Sequence, residues 1–76
     1  MEFDAKKALL SAMAKKGVRT ARAVADMCHP NLHYGSVKSV LNGANDRPSL
    51  LTLSTLAKAF DMELSNFIKL GERDDD

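Results

Sequence analysis

A chain of 76 residues, 45% of them apolar and 28% charged, has material for one small core and no room for a second domain or a deep catalytic cleft. Its single cysteine, Cys28, excludes a disulfide-stapled scaffold, and no apolar run nears the roughly 18 residues of a membrane-spanning helix. The start, Met1-Glu2-Phe3-Asp4, lacks the basic-then-apolar layout of a secretion signal, so a cytoplasmic protein without membrane contact is expected. One Tyr, no Trp and few β-branched residues argue against a sheet.

The net charge is +1, but it is unevenly spread. Residues 1–40 hold seven basic side chains (Lys6, Lys7, Lys15, Lys16, Arg19, Arg22, Lys38) against three acidic ones (Glu2, Asp4, Asp26). Residues 41–76 hold four basic side chains against seven acidic. A basic half suits a phosphate-facing surface; ordinary solvated helix faces account for the same numbers equally well.

Turn signals divide the chain into five segments of helical spacing. The first spans residues 4–16: Asp4 is a suitable N-cap, Leu9, Leu10 and Met13 share a face, and Lys15 and Lys16 favour the negative end before Gly17. The second spans residues 20–28, capped by Thr20, with Val24, Ala25 and Cys28 inward; His29-Pro30-Asn31 ends it. The third starts at His33 or Tyr34 and reaches Asn42, with Val37, Val40 and Leu41 inward and Gly43 as the stop. A polar loop over residues 44–48 follows. The fourth spans residues 49–60, where Leu50, Leu53, Leu56, Ala57 and Phe60 make the strongest apolar stripe. The fifth spans residues 64–70 and closes at Gly71. Residues 1–71 are expected to form the domain, and residues 72–76 a charged, disordered tail. Helices this short are unstable alone and must share one core, so the fold class is all-α with five helices.

Residues 20–43 carry the functional pattern. A helix, a short turn and a second helix form a pair in which the first braces the second, with the small Ala25 where they cross. The outward face of the second member is polar and free of acids: His33, Tyr34, Gly35, Ser36, Lys38, Ser39, Asn42. Such a face fits the major groove of B-DNA, where hydrogen-bonding side chains read base edges and a carboxylate would be repelled. Lys38 has no evident partner one turn away, which leaves it for a phosphate or base. Tyr34 reads a base or packs on the preceding helix.

The layout Thr20…Val24-Ala25…Val37…Val40-Leu41-Asn42-Gly43, then Pro48-Ser49-Leu50…Leu53…Leu56-Ala57-Lys58-Ala59-Phe60…Leu64…Phe67, resembles the lambda repressor-like, Cro/repressor-type helix-turn-helix family. The resemblance covers about residues 5–70. It implies a compact five-helix domain whose second and third helices form the helix-turn-helix. It further implies a sequence-specific transcriptional regulator, repressor- or Cro-like, of phage or bacterial type. By position, His33, Tyr34, Gly35, Lys38 and Ser39 fall where bases are contacted. Thr20, Ala21, Arg22, Asn42, Asn45 and Arg47 fall where the family follows phosphates. The family usually binds double-stranded DNA as a homodimer on half-sites about 34 Å apart. Its fifth helix often joins the two copies, which points to Phe67, Ile68 and Leu70, although Phe67 also reads as core. This chain departs from the pattern in three places. His29 stands where the turn usually has Gly, the turn is about two residues longer through Pro30 and Asn31, and Ala21 stands where a polar residue commonly opens the second helix.

Zinc needs about three or four ligands at tetrahedral reach, Cys28, His29 and His33 are the chain's only Cys and His, and Cys28 falls on the core stripe, so no metal is expected. No carboxylate pair, nucleophile–base set or phosphate loop appears, so neither an enzyme nor a cofactor is expected. The alternative is a module of the same fold that binds a protein partner, antitoxin-like or regulator-binding, with little DNA contact; His29 and the acidic tail motivate it.

Overall fold

The computed structural model describes residues 3–72. It is all-α: α1 (Ala5–Lys16), α2 (Ala21–Cys28), α3 (Tyr34–Leu41), α4 (Leu50–Ala59) and α5 (Leu64–Leu70). Three of the five starts are capped by a short polar side chain. Asp4 Oδ1 accepts from the Lys7 amide at 3.1 Å, Thr20 Oγ1 from Ala23 at 3.1 Å and Ser49 Oγ from Thr52 at 3.2 Å. Each satisfies an amide that has no partner within its own helix.

The stops differ in kind. Gly17 ends α1 in the left-handed region at φ 69°, and Gly43 takes φ 81° after α3. After α4 the left-handed residue is Asp61, at φ 61°, a role that Asp tolerates better than most side chains. Its neighbour Met62 then donates to the Ala57 carbonyl at 2.9 Å. Gly71, expected as a similar stop, keeps an ordinary φ of −97°. Its role is steric, because a Cβ there would lie 2.5 Å from the Asp4 carbonyl oxygen and 2.6 Å from the Phe3 ring.

The principal helix contacts close a ring: α1 packs on α3, α3 on α2, α2 on α4, α4 on α5, and α5 back on α1. Leu9, Val24, Val37, Val40, Leu56, Phe60 and Phe67 are the large side chains sealed inside it. Every helix or its cap contributes at least one of them, which is how segments too short to stand alone hold together. The seam between chain ends is finished by an isolated antiparallel bridge between Phe3 and Glu72. Glu72, expected in the tail, is tied in, its carbonyl also accepting from Lys7 Nζ at 2.8 Å. The remaining tail residues, 73–76, lie outside the described residues.

Two expected core residues lie outside. Leu10 is 46% exposed, because α1 turns Ala5, Ala8, Leu9, Ala12 and Met13 inward and the step from Leu9 to Leu10 carries the chain off that stripe. Leu50 is 65% exposed although it stands three residues before buried Leu53. Periodicity gives the direction of a stripe but not how far its cover extends, and the first turn of α4 runs beyond it. No helix among the described residues is long and apolar enough to cross a membrane.

Candidate nucleic-acid interface

α2 and α3 pack directly against each other, with Val24, Ala25 and Cys28 of one and Val37 and Val40 of the other buried. The connection between them spans five residues, 29–33. The Cys28 carbonyl holds it, accepting from the amides of Asn31 at 2.8 Å and Leu32 at 3.3 Å. Leu32 packs against the core from within the turn. Burial of Val37 and Val40 leaves the opposite face of α3 to solvent, and that rotation decides which polar residues are displayed.

The exposed residues of this face are His33, Tyr34, Gly35, Lys38 and Asn42. His33 occupies the N-cap position without capping the backbone; its ring Nδ1 instead lies 3.0 Å from the Ser36 hydroxyl. Gly35 is open, with nothing within 4 Å of where a Cβ would stand. Ser39 is half-buried and its hydroxyl donates to the Gly35 carbonyl at 2.9 Å, so its proton is used within α3 and its oxygen can only accept.

Tyr34 joins the two helices. The Arg22 guanidinium of α2 lies 5.0 Å from the ring centroid, and Lys38 Nζ, one turn further along α3, lies 5.7 Å from it. Both distances fall within cation–π range. Lys38 therefore has a partner one turn away, contrary to expectation. A search for a carboxylate at that spacing misses the aromatic ring that occupies it. Of the two roles considered for Tyr34, contact with α2 is realised, through Arg22.

The expected backbone-following residues divide between surface and support. Arg22, Asn42, Asn45 and Arg47 are exposed. The side chain of Asn42 accepts from the Ala44 amide at 2.9 Å and that of Asn45 from the Arg47 amide at 3.3 Å, so both shape the loop after α3. Thr20 serves as the α2 cap, while Ala21 is half-buried against the core and presents only backbone at the helix start. From Met27 to Asn45 the chain contains no acidic residue.

The fifth-helix surface needs a correction. Phe67 is 0% exposed and has no area to offer a second copy; Ile68 and Leu70 are half-buried. Cys28 is likewise buried, and desolvation pushes its thiol pKa up, which favours the neutral thiol. An open groove of about 520 Å³, unforeseen from the sequence, lies between the end of α2, the turn and α4; Met27, Leu32, Leu51, Thr55 and Lys58 are among its walls. Its wall includes Leu51, 77% exposed, which lies off the stripe of Leu53, Leu56 and Phe60 and so carried no signal of its own.

No family model matches the chain, and no curated protein or solved structure matches it either.

Proposed function

We propose that the protein is a sequence-specific regulator that binds double-stranded DNA with α3 in the major groove and the start of α2 on the flanking phosphates. The observation that carries this reading is the meeting of Arg22 and Lys38, from two helices, on the ring of Tyr34 within a stretch poor in carboxylates. Phosphate contacts supply affinity without sequence information, and side chains entering the groove supply specificity. Arg22, Asn42, Asn45 and Arg47 fit the first role; His33, Lys38 and the acceptor oxygen of Ser39 fit the second. Gly35 lets the α3 backbone come close. The order of helices and the motifs resembling lambda repressor-like proteins support the same reading, with two copies on a two-fold operator. A homodimer through α5 would use Ile68 and Leu70 without Phe67.

The test is the double variant Arg22→Ala/Lys38→Ala. Both side chains are exposed, so the fold survives, which circular dichroism checks. Affinity for duplex DNA is expected to fall, and its dependence on salt to become shallower by about one unit for each phosphate no longer neutralised. Unchanged affinity and slope would place the surface elsewhere. A protein-interaction module is the second reading, favoured by the exposure of Leu50 and Leu51 at 65% and 77%. Under it the double variant leaves partner binding intact.

A further inference from the structure

We propose that Tyr34 is a positioning residue: its ring holds Arg22 and Lys38 extended together before DNA arrives, joining the phosphate-facing start of α2 to the groove-facing side of α3. The inference rests on the reading of this face as a DNA surface. It departs from that reading in giving the tyrosine no base to recognise.

Tyr34 is the first residue of α3, and Arg22 is the second of α2. The two helix starts therefore meet at one aromatic ring, 39% exposed, with the guanidinium at 5.0 Å and the ammonium at 5.7 Å from its centroid. Two like charges would ordinarily separate into solvent. The negative faces of the ring attract both and offset part of their repulsion. Long cationic side chains lose rotamer freedom when they bind, and side chains already held in place lose less. The shared ring also couples the two cations, since displacing it releases both. Its hydroxyl has no part in this, because the attraction comes from the π-system.

The experiment compares Tyr34→Phe and Tyr34→Leu, each alone and in the Arg22→Ala/Lys38→Ala background, by titration of a duplex selected by the wild-type protein. Tyr34→Phe is expected to bind within about twofold of wild type. Tyr34→Leu is expected to weaken binding about tenfold, the size of the rotamer freedom that two long side chains lose on binding when nothing holds them beforehand. In the double-variant background Tyr34→Leu should weaken it no further. In the free protein, NMR should show the Lys38 ε-methylene protons shifted upfield by the ring in wild type and Tyr34→Phe, and unshifted in Tyr34→Leu. Four results would overturn the proposal. Tyr34→Phe falling as far as Tyr34→Leu would assign recognition to the hydroxyl. A tenfold weakening that persists without Arg22 and Lys38 would make the ring an independent point of recognition. Absence of the upfield shift would remove the clamp whatever the DNA result. If the wild-type protein binds no duplex while the shift is present, the DNA reading fails and the proposal fails with it.

Discussion

Asp4 and Gly71 close the fold at its two ends: the Asp4 amide donates to the Gly71 carbonyl at 2.8 Å, and the Asp4 carbonyl oxygen lies 2.5 Å from the place a Gly71 Cβ would take. The start of α1 and the end of α5 are held together there with no space for a methyl group. Gly71→Ala is expected to destabilise the protein by about 1–3 kcal/mol, the usual effect of overpacking against backbone. Urea unfolding checks this; a midpoint equal to wild type would mean that the seam between Phe3 and Glu72 is loose.

Gly35 allows stability and binding to be separated. It lies in the first turn of α3 with open space around it, so Gly35→Ala meets no clash. Removing the entropy cost of a helical glycine should raise stability by about 0.5 kcal/mol. On a surface where backbone approaches DNA, the added methyl group should nevertheless weaken duplex binding. Thermal melting and a DNA titration on the same sample read both effects. Improved stability with unchanged affinity would move the DNA-facing surface away from the start of α3.

The helical segments were readable because short polar caps and 3.6-residue stripes are local signals. Thr20, Ser49, Val37, Val40 and Phe60 all stand where their spacing puts them. What local spacing could not show was which stripe positions receive cover. Leu50 continues the stripe of Leu53 and Leu56 but lies beyond the ring of helices, and Leu10 borders a stripe made largely of alanines. Phe67 was readable as core or as contact surface until α1 and α4 were seen packing on α5. The Arg22–Tyr34 approach joins residues from two helices, and no one-helix pattern contains it.

Those differences predict contrasting variants. Leu51→Ser, at a position 77% exposed, should leave the unfolding free energy within about 0.5 kcal/mol of wild type. Phe67→Ala, at a position with no exposure, should cost about 3–5 kcal/mol, a large share of what a small domain has. Denaturant titration of the two variants gives the comparison. Similar destabilisation at both positions would mean that Leu51 is covered in solution.

Burial of Cys28 predicts an alkaline effect. The folded state raises the thiol pKa by desolvation, so between the unfolded and folded values the native chain keeps a proton that the unfolded chain has released. The residue's contribution is intact below the unfolded pKa and declines as pH rises through about 8.5. Wild type should therefore lose more stability than Cys28→Ala between about pH 8 and pH 10. Parallel pH profiles for the two proteins would show that the thiol is solvated when folded.

The most direct test of the DNA reading is selection of bound duplexes from a random-sequence pool at two salt concentrations. The account predicts enrichment of a two-fold symmetric motif, with affinity that falls steeply as salt rises. Absence of any enriched motif, with weak binding at both salts, would contradict it.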